Sequence, residues 1–171
     1  MRLIGLDPGL QRTGWGVIQA RGNALGFLAA GVVATDPRQS LALRLDALYR
    51  GLAQVIGMHA PELAAIEETV VNVNGASSLK LGQARGVVLL AAAHAGLAVT
   101  EYAAKTVKRA VVGTGAAHKR QVAMMVRVLL PGSGRMTLDA ADALAVAICH
   151  AHHAATMRSL SAAPILAGPR A

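Results

Sequence analysis

Four of the chain's nine acidic residues sit where a carboxylate is out of place unless it does chemistry. Asp7 ends the apolar run Leu3-Ile4-Gly5-Leu6, and Glu67 ends Leu63-Ala64-Ala65-Ile66. Carboxylates at the C-terminal ends of neighbouring strands share the sheet edge where open α/β folds bind ligands. Asp139 and Asp142 lie three apart in Asp139-Ala140-Ala141-Asp142-Ala143-Leu144-Ala145-Val146, so on a helix they share one face. Asp139 alone is equally explained as an N-cap favoured by the helix dipole. Asp142 is not, because a cap does not account for a second acid in an apolar register. Four gathered carboxylates repel one another and take up protons unless a cation joins them. Hard oxygen ligands select Mg²⁺ or Mn²⁺. Two such ions roughly 4 Å apart clamp the attacking and leaving oxygens of a phosphodiester.

Nothing else in the chain offers a competing nucleophile. Cys149 is the single cysteine, so no internal disulfide forms and a reducing compartment is expected. His150, His152 and His153 fall late in the last predicted helix, where positive charge suits the dipole. Seventeen Lys and Arg give a formal charge of +8, which favours a polyanionic partner, nucleic acid before an anionic membrane. Seven of these bases (Lys105, Lys108, Arg109, Lys119, Arg120, Arg127, Arg135) lie between Thr100 and Arg135 against Glu101 alone. The first residues lack the apolar stretch of a signal peptide, and no apolar run approaches the ~20 residues of a membrane span. A cytoplasmic location without membrane attachment is expected.

The elements that must position the acids follow from the hydrophobic period. Arg2 to Leu6, Gly14 to Ala20 and Leu25 to Val33 read as strands joined by short turns, an antiparallel meander. Ser40 to Met58 carries leucines at helical spacing, with Ser40 as N-cap. Leu63 to Ile66 is a short buried strand delivering Glu67. Helices are predicted over Ala76–Ala95, Lys105–Val112, Lys119–Leu130 and Asp139–Ala155, with a strand over Leu97–Tyr102. The order implies an α/β fold, a mixed sheet with helices on both faces.

The segments Ile4-Gly5-Leu6-Asp7-Pro8-Gly9, Thr13-Gly14-Trp15-Gly16, Ala65-Ile66-Glu67, Leu79-Lys80-Leu81-Gly82-Gln83-Ala84-Arg85-Gly86, Glu101-Tyr102-Ala103-Ala104 and Asp139-Ala140-Ala141-Asp142-Ala143-Leu144 occur in that order. Together they resemble the bacterial Holliday-junction resolvases of the RuvC family, over residues 2 to 153. The resemblance implies a ribonuclease H-like nuclease domain over residues 1–156, followed by a flexible tail over 157–171. It implies a homodimer that cuts four-way DNA junctions by paired symmetric nicks, working with the RuvA–RuvB branch-migration complex in recombination and repair. It maps the metal ligands to Asp7, Glu67, Asp139 and Asp142, with two Mg²⁺ per site, Mn²⁺ able to substitute, and Asp7 bridging. Lys119 joins them as a catalytic residue, beside Lys108 near the scissile phosphate. Further DNA contacts are expected at Lys80, Arg85, Lys105, Arg109 and Arg120.

One position departs from the family pattern. Val70 stands where an aromatic is expected three residues after the second acid, and Val cannot reproduce stacking on bases. Glu68 adjoins Glu67, but neighbouring strand residues point to opposite faces, so Glu67 is the ligand. Gly82 and Gly86, four apart, permit close backbone approach, either to a second subunit or to the chain's own sheet. Two other classes compete. Actin- or hexokinase-like ATP-using proteins also open on a strand and a DxG turn, but need a second such domain. A non-catalytic DNA-binding module explains the basic surface and leaves the four acids surplus.

Overall fold

The computed structural model describes residues 1–68 and 75–162. Strands β1 (Arg2–Asp7), β2 (Arg12–Arg21) and β3 (Ala24–Ala34) form the antiparallel meander, with β2 and β3 longer at both ends than predicted. Helix α1 (Leu41–His59) starts at Ser40, whose Oγ accepts from the Leu43 amide at 3.5 Å. Strand β4 (Leu63–Glu68) then returns parallel to β1. Helix α2 (Gly75–His94) and strand β5 (Ala98–Ala103) complete a five-stranded mixed sheet in the order β3-β2-β1-β4-β5. Helices α3 (Ala104–Val112), α4 (Lys119–Leu129) and α5 (Leu138–Ala162) follow.

Strand alternation sorts the core into two layers. Ile4, Leu6, Val17, Ala64 and Ile66 pack with α1 and α2 on one face. Leu3, Ile18 and Ala65 pack with α3, α4 and α5 on the other. Asp7 and Glu67 share the parity of Leu3 and Ala65, so both emerge on the α5 side. Glu68, of opposite parity, is exposed.

Helix α5 is the central packing element, with Ala143, Leu144, Val146, Ala147 and Ile148 all fully buried. Its backbone comes down directly on β1 and β2. A Cβ on Gly5 would lie 2.0 Å from the carbonyl oxygen of Ala143, and one on Gly14 would lie 2.0 Å from that of Asp139. Only glycine admits such an approach. Thr137 takes the capping role weighed above for Asp139: its Oγ1 accepts from the Ala140 amide at 3.3 Å, and its carbonyl from the Ala141 amide at 3.0 Å. The carboxylate of Asp139 is thereby free for another partner.

Several expectations are corrected or fall elsewhere. Helix α5 continues past the predicted end at Ala155 to Ala162, so the three histidines are mid-helix and the dipole account of them fails. His150 is instead buried, with Nδ1 3.0 Å from the Tyr102 hydroxyl, while the His153 ring stacks on Tyr102. Gly82 and Gly86 have open space where a Cβ would stand, so they do not serve packing on the chain's own sheet. Val70 and the last nine residues lie outside the described residues.

Gly5→Ala is expected to lower the unfolding free energy by on the order of 3 kcal/mol, because α5 must lift from the sheet. Gly57→Ala, in open space on α1, is expected to raise it by up to ~1 kcal/mol. Urea unfolding midpoints of both variants check the pair.

Candidate active site

Strands β1 and β4 pair in parallel with Leu6 opposite Ile66, so the next residues, Asp7 and Glu67, leave the sheet side by side. The turn after Asp7 is locked by Thr13, whose Oγ1 donates to the Gly9 carbonyl at 2.7 Å and accepts from the Gly9 amide at 3.2 Å. Thr35 Oγ1 donates to the Leu10 carbonyl at 2.6 Å and is itself held by Arg44 Nε at 3.0 Å. Thr13 is fully buried, and the sequence reading missed its role. A threonine in a strand carries no pattern that separates a turn lock from an ordinary β-branched residue.

Three helices complete the site. Asp7, Glu67, Asp142, Lys108 and Lys119 line one open pocket, with Val107, Val122 and Ala145 among its apolar walls. Gln121 accepts from the His118 amide at 2.8 Å and fixes the start of α4, which puts Lys119 at its first position. A lysine there opposes the helix dipole, and α4 has no acid in its first turn to offset it. The offset comes from α5: Lys119 Nζ donates to Asp142 Oδ2 at 2.8 Å.

Asp139 stands at the rim and does not line this pocket. Its Oδ2 accepts from Arg12 Nε at 2.6 Å. It remains near enough to raise the pKa of both Asp7 and Lys119. Arg12 is a second residue the sequence reading missed, since nothing in its surroundings along the chain points to Asp139. Lys105, Arg109 and Arg120 are exposed on α3 and α4 and do not line the pocket. Lys80 is exposed on α2, in the layer across the sheet, and Arg85 of the same helix pairs with Glu101.

Burial pushes the Asp7 carboxyl up to about 6, helped by Asp142 and opposed by Lys119. Burial likewise pushes Glu67 up to about 7, reinforced by Asp7 and Asp142 and opposed by Lys119 and Lys108. The hydrogen bond to Asp142 raises Lys119. Among the described residues no three potential ligands converge closely enough to hold an ion as placed, since Lys119 and Arg12 occupy two of the acids. The chemistry of the donor set nonetheless fits a hard divalent cation. Three carboxylates face one open pocket, and two of them carry a burial and repulsion penalty that such an ion relieves.

A mixed sheet in this strand order, with carboxylates at the ends of adjacent parallel strands and on the helix crossing them, defines a ribonuclease H-like nuclease. The sequence model for crossover junction endodeoxyribonuclease RuvC matches residues 3–150. The chain is 61% identical over 162 residues to a crossover junction endodeoxyribonuclease RuvC of Acidiphilium cryptum, covering 95% of this chain and 97% of the relative. It is 60% identical over 163 residues to that of Rhodospirillum rubrum, covering 95% and 96%. Thermus thermophilus RuvC, solved in complex with a Holliday junction substrate, superposes with a TM-score of 0.83 at 35% identity, covering 92% of this chain and 96% of that one. The chain belongs to the RuvC family of crossover junction endodeoxyribonucleases. It is accordingly an endonuclease that hydrolyses DNA phosphodiesters, and the family's chemistry uses divalent metal.

Asp7 and Glu67 bind their protons more tightly in the folded chain than in the unfolded one. Folding therefore takes up protons between about pH 4 and pH 7, and metal-free stability falls as pH rises through that window. Glu67→Gln is expected to be more stable than the parent at pH 8 by on the order of 2 kcal/mol, with the difference fading towards pH 4. Urea titrations in EDTA at pH 8 and pH 5 check this. Mg²⁺ is expected to raise the parent's Tm more at pH 8 than at pH 5.

Proposed function

We propose that this chain resolves four-way DNA junctions by paired, symmetric nicks, acting as a homodimer in homologous recombination and repair. One observation carries the reading: Asp7, Glu67 and Asp142 meet two lysines in a single pocket, in a chain of the RuvC family. Thermus thermophilus RuvC was solved on a Holliday junction, which supports the same substrate here. The non-catalytic reading leaves those acids without purpose.

Asp7, Glu67, Asp139 and Asp142 would hold two Mg²⁺, or Mn²⁺ in their place. Bound there, divalent ions supply the activation of the attacking oxygen and neutralise charge as the phosphodiester is hydrolysed. The chain's own residues do the rest. Burial and mutual repulsion keep Asp7 and Glu67 poised to exchange protons for cations. Lys108 and Lys119, on α3 and α4, present positive charge to the phosphate from the side opposite the acids' strands. Asp142 holds Lys119 in the metal-free chain and would itself be one of the metal ligands. Lys105, Arg109 and Arg120 extend the basic surface along α3 and α4, whereas Lys80 stands on α2 in the other layer and Arg85 beside it is paired with Glu101.

Paired nicks need two sites, and α2 offers a surface for joining two copies. Leu79 and Leu90 are exposed on it, at 66% and 54%, around the open positions of Gly82 and Gly86. We place the enzyme in the cytoplasm, working beside the RuvA–RuvB complex; no helix among the described residues is long and apolar enough to cross a membrane.

A four-way junction is expected to be nicked in Mg²⁺ while a linear duplex of the same sequence is not. Asp7→Asn is expected to keep junction affinity and lose at least 10²-fold in cleavage rate. Wild-type cleavage by that variant would remove the metal assignment. Leu90→Asp is expected to shift the sedimenting species from dimer to monomer.

A further inference from the structure

Apart from the carboxylate pocket, a second open cavity lies between the sheet and the turn that leads into α5, and it is lined by Arg12, the partner of Asp139. Arg12, Ser133, Arg135 and Thr137 contribute its polar groups, and Phe27 and Met136 are among its apolar walls. Two arginines and no acid line it. Arg135 is exposed and forms no ion pair among the described residues. Arg12 has one acidic partner, Asp139, which lines neither pocket, and about half of the Arg12 side chain is solvent-exposed.

The hydroxyl of Ser133 supplies an independent sign of a ligand. Ser133 is 8% exposed, and its Oγ is buried with no hydrogen-bond partner among the described residues. A buried hydroxyl left unpaired costs about 1–3 kcal/mol, a penalty that rotation of the Ser133 hydroxyl towards a hydrogen-bonding group in the cavity can offset. Thr137 Oγ1 accepts from the Ala140 amide, so its own proton is free to be donated outward. Guanidinium groups and hydroxyl donors with no competing carboxylate in the lining are the donor set of a phosphate site.

We propose that this cavity is a second phosphate-binding subsite, which grips a backbone phosphate of the DNA strand away from the phosphate being cut. The proposal rests on the junction-nuclease reading, which supplies the strand. Arg12 links the two pockets. While Asp139 holds its guanidinium, Arg12 is committed to the metal side. Were Asp139 to serve a cation, the guanidinium would be left facing the second cavity, where a phosphate would replace the lost carboxylate. Cation loading and strand grip are thereby coupled through one side chain.

Arg135→Ala and Arg12→Ala separate the parts, because Arg135 leaves the Asp139 pair intact. Binding of a labelled junction is followed across a salt series with Ca²⁺ in place of Mg²⁺. Each variant is expected to lose about 5–10-fold in affinity, and its log–log salt slope to fall in magnitude by about 1. The Arg12→Ala loss is expected to shrink in EDTA, and the Arg135→Ala loss to persist there. Arg50→Ala, which removes a base already paired to Asp46 on α1, is expected to leave the slope unchanged. Wild-type junction affinity and slope in both variants, with millimolar inorganic phosphate raising the Tm of the parent but not of Arg135→Ala, would assign the cavity to free phosphate instead. Wild-type slopes in both variants, with the parent binding normally, would overturn the subsite alone. A parent that binds no junction would overturn the junction-nuclease reading itself.

Discussion

The whole active site hangs on how closely α5 can approach the sheet. Its backbone touches β1 and β2 at Gly5 and Gly14, where even a methyl group would collide with a carbonyl oxygen of the helix. Alanines at 140, 143 and 147 keep the helix side of that contact thin. Two consequences follow from the same seat. The helix buries almost every residue from Ala140 to Ala151 and becomes the hydrophobic centre of its layer. Its second turn is also brought to the strand ends, so that Asp142 joins Asp7 and Glu67 in one pocket. Packing and chemistry are therefore not separable here. A helix raised by one side-chain layer would still cover the sheet, but its carboxylates would miss their partners.

Against that packing stands an electrostatic tension. Burial and like charge push Asp7 and Glu67 towards protonation, and Lys119 alone does not discharge them. Lys119 is placed at a helix start that disfavours it and held there by Asp142, while Arg12 holds Asp139. Each of these ion pairs is partly solvent-exposed, so neither contributes much to stability. On the proposed function they would be exchangeable partners, occupying carboxylates that divalent cations would claim. Natural sequences commonly keep such local conflict at functional sites.

The alternation of Leu3-Ile4-Gly5-Leu6 and the matching run before Glu67 were enough to put two carboxylates at one sheet edge, because side-chain direction in a strand has period two. The switch to helical spacing after Ser40 placed α1 within one residue at each end. Helix α5 ran on past its predicted end because the Ala-rich stretch after His153 contains no stop signal, and alanine favours continuation. The N-cap of α5 fell to Thr137, not Asp139, a distinction that depends on which side chain turns back to the free amides. The pairs Arg12–Asp139 and Lys119–Asp142 join residues 127 and 23 positions apart, and no local pattern encodes them.

By itself the sequence determined the strand–helix order, the parity that aims Asp7 and Glu67 at the same face, the basic surplus and the family. These are properties of local period, composition and motif, which survive without knowledge of what packs on what. Only the tertiary structure decided that Asp7, Glu67 and Asp142 share a pocket that Asp139 does not line, that Thr13 locks the turn, and that Arg12 pairs with Asp139 while lining a second cavity. Those facts depend on distances of a few ångströms between elements far apart in the chain. The seat of α5 on two glycines is what sets those distances.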